Sequence, residues 1–421
     1  MSLAARVRRR LSLPLGDEWI AYAQLYSARV VGQVAGLVLT VISARVLQPE
    51  GRGEFVTVSA GAVIGAQALN LGLSSSLAVL FSRRPHRIGR YRRHLLALAA
   101  AWAVILTAVG VVLAWAGVEG PFRWWPFWAA WISLQLLGLY QGAALVARQD
   151  GKALARIELT GRCSAMILGG ASLLVFGGSL RPFLAAIIVA DGIIAALGAL
   201  HLARVTPGDP PRPRRAWPFF AAAAAMGLRA YPPLVLLFLL VKSDVLVLRV
   251  LRGAAETGVY SIASQIVDVA LILPATIGAL ALPGVVRAER PTSELLRVLH
   301  PTALLVGALA VLLALLGHWG IVLLFGHPYE GAYPALLLLL PGLICLSLQG
   351  LLGQYFAARG FPLFVSFYWL LGFATNLTFN LLLVPRFGFL AAAATSSVAY
   401  ALVFFLMLRR FLVDRSAETA R

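Results

Sequence analysis

Residues 55–81 read FVTVSAGAVIGAQALNLGLSSSLAVLF, without a charged side chain, and six arginines follow within residues 83–93. A helix of about 20 apolar residues crosses the hydrocarbon core of a bilayer, which is roughly 30 Å thick. In membrane proteins Lys and Arg collect in the cytoplasmic loops. The stretch therefore predicts a transmembrane helix whose C-terminal end lies at the cytoplasmic surface.

The same pattern recurs along the whole chain. Hydrophobic residues make up 60% of the sequence, charged residues only 13%, and the mean hydropathy is +0.85, whereas a soluble domain is about 25% charged. We predict an all-α membrane protein with 12 transmembrane helices and little chain left for a soluble domain. The spans are placed near residues 19–44, 55–81, 95–117, 125–147, 157–178, 182–203, 218–248, 258–284, 300–325, 333–357, 362–384 and 388–408.

The basic residues predict the orientation of these spans. Of the 36 Lys and Arg residues, 25 fall in the two tails and in the connectors after even-numbered spans, 7 in the opposite connectors and 4 within spans. This bias predicts that both termini are cytoplasmic. A net charge of +19 would indicate nucleic acid in a soluble protein, but here we expect anionic membrane lipids as partners and no nucleic acid. The seven outer residues are Arg45, Arg52, Arg123, Arg181, Arg249, Arg252 and Arg386.

The chain divides into two similar halves. A segment rich in proline and arginine, residues 207–217, predicts a cytoplasmic linker between an N-lobe, 19–206, and a C-lobe, 218–410. Cytoplasmic tails are expected at 1–18 and 411–421, the first retained because acidic residues interrupt it before the apolar run and no small-residue cleavage site follows.

A short internal echo supports the two halves. Arg45-Val46-Leu47 precedes Gly53, and Arg249-Val250-Leu251 precedes Gly258. Each half has six spans, an even number, so both halves enter the membrane from the same side as parallel repeats. Substrate sites in such proteins lie between the repeats near the bilayer midplane, and we expect two six-helix lobes around a central cavity.

Two arginines are placed where an anionic substrate would need them. Arg29 and Arg229 fall about halfway into corresponding spans of the two lobes, where a charge costs about 2.5–3.5 kcal/mol on the most lenient scale. Two cations at one depth repel each other unless an anion lies between them. The planar guanidinium donates two parallel hydrogen bonds to phosphate, so we predict that this pair binds the substrate.

Six further ionisable residues lie within or at the ends of spans. Asp191, Asp244 and Asp268 are candidates for proton or sodium coupling. For Glu158 with Arg162, four residues apart on one helix, and for Lys242 near Asp244, a structural ion pair and a place in the cavity both remain open.

Other chemistry is not indicated. Cys163 and Cys345 lie within apolar spans, where a thiol behaves as a small hydrophobe, so we expect neither a disulfide nor a metal ligand. The sequence contains no phosphate-binding glycine loop, zinc motif or nucleophile elbow. We therefore expect no enzyme activity, no metal and no cofactor. Three glycine pairs have GxxxG spacing and predict close helix packing: Gly32 with Gly36, Gly61 with Gly65, and Gly138 with Gly142.

Two blocks of sequence carry a family resemblance. The first is residues 43–84, with Pro49-Glu50-Gly51 and Asn70-Leu71-Gly72, and the second lies within residues 324–400. Both resemble the polysaccharide and O-antigen flippases of the multidrug/oligosaccharidyl-lipid/polysaccharide (MOP) superfamily, whose fold is MATE-like. Signature positions of the second block are Gly326, Pro341, Gly360, Asn376, Asn380, Pro385 and Gly388. The chain departs from the family at Gln48 and Ala391, where glycine is usual.

The resemblance implies an activity. Such proteins move an undecaprenyl-diphosphate-linked oligosaccharide outward across the bacterial cytoplasmic membrane by alternating access, for surface polysaccharide synthesis that includes O-antigen, lipopolysaccharide and exopolysaccharide. It also implies polysaccharide polymerase and export machinery as partners, and a diphosphate-binding role that falls on Arg29 by position.

Three alternatives remain open at this point. One is a cation-coupled multidrug exporter of the same superfamily, and another is a lipid II flippase, which usually has two more spans. The third, a membrane glycosyltransferase or polysaccharide polymerase, needs a sizeable outer loop with catalytic residues. The longest outer connector, roughly residues 118–124, is too short for one.

Overall fold

The computed structural model describes residues 17–84, 87–117, 123–206, 217–288, 291–360 and 362–419, and the regular structure in these ranges is entirely helical. The α-helices are α1 (Asp17–Asn70), α2 (Leu73–Arg83), α3 (Arg87–Trp115), α4 (Trp125–Ala147), α5 (Gly151–Val175), α6 (Leu180–Val205), α7 (Trp217–Arg252), α8 (Ala254–Ala270), α9 (Ile272–Arg287), α10 (Pro291–Phe325), α11 (Ala332–Ala358) and α12 (Leu363–Thr419). A 3-10 turn, His327–Tyr329, joins α10 to α11.

These helices form the twelve predicted spans. The long helices α1 and α12 each contain two spans, which meet at non-helical backbone at Gln48 and Gly388 respectively. The second part of α1 continues into α2 after a two-residue break, and α8 continues into α9 after Leu271. The prediction of 12 spans is therefore confirmed within the described residues.

The helices have the composition of a multi-pass membrane protein. Within the described residues, eight stretches are long and apolar enough to cross a membrane, and two of these, Val31–Asn70 and Leu363–Ser416, each contain two of the predicted spans. The remaining two spans are α5 and α7, which carry charged residues. Large exposed apolar side chains lie along α3 and α10, among them Val104, Val111 and Leu304, as expected for surfaces that face lipid.

Three clusters of buried apolar residues hold the bundle together. One draws its members from Leu47 to Ala223, and another, drawn from Leu240 to Phe411, belongs to the C-terminal half alone. The third joins Ala44 and Ala60 of the N-terminal half to buried residues between 245 and 393. The two halves therefore share a core at the end of the bundle where α1 bends.

The bend in α1 explains one departure from the family pattern. Gln48 has φ 56° and ψ 175°, a region of backbone conformation that is essentially restricted to glycine. Its side-chain Nε2 donates a hydrogen bond to the carbonyl of Arg45 at 2.7 Å. The resemblance implies glycine at this position, which adopts such a backbone without strain, whereas this chain holds glutamine there with a local hydrogen bond.

The bundle end that contains Gln48, Gly253 and Gly388 is the one that the arginine count assigns to the outside, and we call it the outer end. The predicted linker falls on residues 207–216, which lie outside the described residues, together with residue 217 at the start of α7. Tail residues 411–419 continue α12 as a helix. The domain boundaries thus remain predictions.

Candidate functional site

A cavity of about 100 Å³ lies between the two halves, where α1 faces α7 and α8. We call it the inter-lobe chamber. One side is formed by residues 52–63 of α1, and the other by residues 242–245 of α7 and 261–268 of α8. Its polar lining consists of Arg52, Ser59, Lys242, Ser261, Ser264, Gln265 and Asp268.

Arg52 is the most notable residue of the inter-lobe chamber. It is only 3% exposed, its Nη1 donates a hydrogen bond to Ser43 Oγ at 2.8 Å, and its guanidinium lies 5.3 Å from the ring centre of Phe55. The Nε atom is buried and has no hydrogen-bond partner among the described residues. A buried guanidinium without a carboxylate beside it is costly, so this residue is a candidate for binding an anion.

Sequence reasoning placed Arg52 in an exposed outer connector. That interpretation is wrong, because helix α1 continues through Arg52 and the second half of the protein covers it. A basic residue between two apolar runs is assigned to a loop by hydropathy alone. The only local signal was the neighbouring glycine, Gly53, which allows another helix to approach closely.

Two of the predicted residues meet on the far side of the chamber. Lys242 Nζ donates to Asp268 Oδ2 at 2.7 Å, and both side chains are a quarter to a third exposed. The structural ion pair that the sequence indicated for Lys242 thus forms with Asp268 rather than Asp244, since residues two apart on a helix do not face each other. The charged side chains of the chamber are Arg52, Lys242 and Asp268, so its net charge is +1.

Asp244 lies deeper in the C-terminal half. It is 1% exposed and accepts hydrogen bonds from Tyr260 Oη and, at 3.3 Å, from Ser396 Oγ. Ser396 also accepts a hydrogen bond from Asn376, which in turn accepts one from Asn380. The two signature asparagines therefore belong to a buried polar network that includes this carboxylate.

The predicted residues of the N-terminal half lie around a second cavity. Glu158 and Asp191 line a space of about 580 Å³ between α1, α2, α4, α5 and α6, which we call the N-lobe cavity. Asp191 Oδ2 accepts a hydrogen bond from Trp131 Nε1 at 2.7 Å. Arg162 is close enough to Asp191 for an electrostatic interaction, and its side chain extends over Gly32 and Gly36 of α1. The pairing of Glu158 with Arg162 stays a prediction.

The two arginines on which the sequence-based hypothesis centred fall within α1 and α7. The side chains of Arg29 and Arg229 lie outside the described part of the structure. Their role in substrate binding therefore stays a prediction.

The outer end of the chamber is closed by backbone contact. A Cβ atom added to Gly53 would lie 1.8 Å from the carbonyl oxygen of Ala254, and one added to Gly258 would lie 1.8 Å from that of Pro49. Only glycine permits this approach. Tyr329 Oη also donates to the carbonyl of Ala44 at 2.9 Å. The two halves are thus joined along the turn that follows the internal sequence echo.

An ionic cluster adds to this closure. Glu54 is 6% exposed, and its Oε1 accepts hydrogen bonds from Arg249 Nη2 at 2.6 Å and Arg123 Nη2 at 2.7 Å. Its Oε2 accepts one from Trp124 Nε1 at 2.8 Å. Arg249 belongs to α7, so the carboxylate links the two halves. We call this group the outer latch.

Comparison with known proteins rests on structure alone, since no protein-family model and no curated protein matches the chain. An inward-facing multidrug resistance MATE family transporter of the MOP superfamily is 14% identical; the match covers 95% of this chain and 99% of that one, with a TM-score of 0.71. The lipid II flippase MurJ in an inward closed conformation is 12% identical, with 94% and 90% covered and a TM-score of 0.74. The chain thus shares the helical fold of these two transporters.

A further solved structure has a different conformation. An outward-facing multidrug resistance MATE family transporter of the same superfamily covers 96% of the chain and 98% of its own length at 15% identity, with a TM-score of 0.63. The TM-score is thus higher against the inward-facing example than against the outward-facing one.

Proposed function

We propose that this protein is a flippase that moves an undecaprenyl-diphosphate-linked oligosaccharide outward across a bacterial cytoplasmic membrane. The observation that carries the proposal is Arg52, a buried guanidinium with an unpartnered Nε that lines a chamber between the two halves of a MOP fold. A diphosphate accepts hydrogen bonds from guanidinium groups and neutralises them. Lys242 would supply a second cation in the same chamber.

The physical task is to shield a polar headgroup from hydrocarbon. Moving a diphosphate and sugars through lipid without partners costs many kcal/mol. The inter-lobe chamber offers charged and hydroxyl side chains in place of water, while the isoprenoid tail stays in the bilayer. Export of an anion from a negative interior is favoured by about 2.3 kcal/mol per charge per 100 mV. Transport can then proceed without ATP, with both termini in the cytoplasm.

The alternatives differ in how they fit this chamber. A cation-coupled multidrug exporter carries cationic substrates, which Arg52 and Lys242 repel, since Asp268 alone opposes them. A lipid II flippase carries another diphosphate-linked sugar, so the chamber fits it equally well. The oligosaccharide flippase and the lipid II flippase differ in the glycan that they carry. The short outer connector seen in the sequence disfavours a polymerase or glycosyltransferase.

The test uses cells that lack their own flippase gene and regain surface polysaccharide when this chain is expressed. We expect Arg52→Gln to reduce polymer output about 10- to 100-fold, because a hydrogen bond between charged groups contributes roughly 1.5–3 kcal/mol. Arg386→Gln removes an exposed arginine at the same end and is the matched control. Normal output from Arg52→Gln would exclude the proposed role of this residue.

A second variant separates binding from structure. Ser43→Ala removes the hydrogen-bond partner of Arg52 but keeps its charge. If Arg52 only stabilises the fold, Ser43→Ala and Arg52→Gln should both reduce polymer output. If Arg52 binds the diphosphate, Ser43→Ala should retain most of the polymer output. The double variant Arg29→Ala with Arg229→Ala tests the sequence-based pair in the same cells, and normal polymer would rule that pair out.

A further inference from the structure

The N-lobe cavity is an open cavity of the N-terminal half that is separate from the inter-lobe chamber. Its volume of about 580 Å³ falls within the roughly 300–1,000 Å³ of small-molecule sites. It lies towards the cytoplasmic end, because its lining includes Ser74 and Ser75 after the α1–α2 break and Glu158 near the start of α5. It is thus at the side from which a lipid-linked substrate would enter.

The lining of this cavity is mostly apolar, and its polar side chains are carboxylates, amides and hydroxyls. Carboxylates come from Glu158 and Asp191, and amides come from Gln67, Gln135 and Gln141. Among the described lining residues none is Lys or Arg. Such groups accept hydrogen bonds from hydroxyl groups and donate amide N–H groups to ring and hydroxyl oxygens.

Two of these polar groups are held in fixed positions. Trp131 binds Asp191 Oδ2 at 2.7 Å, and Gln141 Nε2, on a side chain only 4% exposed, donates to the carbonyl of Ala195 at 3.0 Å. A fixed carboxylate and a fixed amide provide specific rather than adaptable contacts, because their rotamers are set before the ligand arrives.

The GxxxG pair of α4 contributes space rather than helix packing. A Cβ atom added to Gly138 or Gly142 would meet no heavy atom within 4 Å, and both residues line the cavity. The predicted close packing at these glycines is therefore wrong. By contrast, a Cβ on Gly61 would lie 2.8 Å from Trp128, so that glycine does serve packing. Glycines that face open space let a flat ligand reach the helix backbone.

We propose that the N-lobe cavity is a carbohydrate subsite that binds sugar residues of the lipid-linked substrate while the diphosphate stays in the inter-lobe chamber. This inference rests on the proposed function. The division matches the side chains, because the cavity offers carboxylates and amides to hydroxyl-rich rings and the basic chamber receives the anion.

Binding to the purified, reconstituted protein tests this division with two probes. One is undecaprenyl diphosphate without sugar, and the other is undecaprenyl diphosphate that carries a short N-acetylhexosamine-containing oligosaccharide. We expect the sugar-bearing lipid to bind the wild-type protein about tenfold more tightly. Gly138→Leu fills the cavity and is expected to abolish that preference while leaving the affinity for the bare lipid unchanged.

The controls separate the possible failures. Gly320→Leu adds the same side chain on α10, where a Cβ also meets nothing within 4 Å, and should keep the preference for the sugar-bearing lipid. If wild-type protein binds neither lipid, the proposed function fails. If it prefers the sugar-bearing lipid and Gly138→Leu keeps that preference, the subsite alone is overturned. Loss of ethidium binding in Gly138→Leu, with the preference intact, would assign the cavity to organic cations instead.

Discussion

Arg249 in the C-terminal half donates a hydrogen bond from Nη2 to Oε1 of Glu54 in the N-terminal half at 2.6 Å. Arg123 donates to the same oxygen, but it belongs to the N-terminal half and its side chain is 58% exposed. Of the two arginines, only Arg249 therefore resists separation of the halves. An outward-facing state requires this bond to break.

Glu54→Gln should weaken the outer latch and favour opening of the outer end. Loss of a hydrogen bond between charged groups, worth about 1.5 kcal/mol, raises the open population roughly tenfold. A Ser264→Cys reporter in the chamber, in a background with Cys163→Ala and Cys345→Ala, measures opening by reaction with an impermeant maleimide added from outside.

The controls for this experiment use the neighbouring charges. Arg249→Gln should accelerate labelling as much as Glu54→Gln, and Arg123→Gln should do so less. Glu256→Gln breaks the Arg252–Glu256 pair, which lies within one half, and should leave the labelling rate unchanged. Equal maleimide labelling rates for Glu54→Gln and the parent protein would show that the outer latch does not control opening of the outer end.

Gly258→Ala should prevent closure of the outer end. The added methyl carbon would lie 1.8 Å from the carbonyl oxygen of Pro49, so the backbone segments around Pro49 and Gly258 must move apart. We expect polymer output to fall while the protein remains in the membrane as a single species by size-exclusion chromatography. Gly307→Ala, where a Cβ meets nothing within 4 Å, is the control. Wild-type output from Gly258→Ala would show that close contact there is dispensable.

Gln48→Gly should stabilise the protein by about 1 kcal/mol, because it relieves a backbone conformation that costs roughly 1–3 kcal/mol outside glycine. The lost hydrogen bond to Arg45 reduces the gain. Gln48→Ala keeps the strain, loses the hydrogen bond and should lower stability. Thermal inactivation in detergent distinguishes them, and the reverse order would disprove strain at Gln48.

The Lys242–Asp268 pair should show coupling in a double-mutant cycle. Lys242→Met and Asp268→Asn are each expected to cost on the order of 1–3 kcal/mol, since each leaves its partner without a counter-charge in a partly hydrated chamber. The double variant should cost less than the sum of the two. Additive losses in thermal stability would mean that the two groups act independently.

Hydropathy predicted the number of spans because it depends on local composition, and every predicted span corresponds to a helix or a helix pair. Arg52 was misplaced for the opposite reason. It lines a chamber with Lys242 and Asp268, about 200 residues away in the sequence, and a window of neighbouring residues contains no information on that arrangement.

The site residues show the same limit. Asp268 was recognised as an intramembrane charge, but its partner Lys242 lies on another helix, and spacing alone favoured the nearer Asp244. Gly138 and Gly142 have the spacing of packed glycines yet line a cavity. A local motif indicates that backbone is accessible; whether a helix or a ligand occupies the space depends on the tertiary structure.

Gly53 and Gly258 follow an Arg-Val-Leu triplet in each half, six and seven residues after its leucine, and a Cβ atom added to Gly53 would lie 2.9 Å from the backbone nitrogen of Gly258. A position that contacts its own counterpart must lie on the pseudo-symmetry axis. A six-helix ancestor that assembled as a homodimer would need a residue without a side chain there, since any larger group would collide with its identical copy. The present chain is what the fusion of two such subunits would produce.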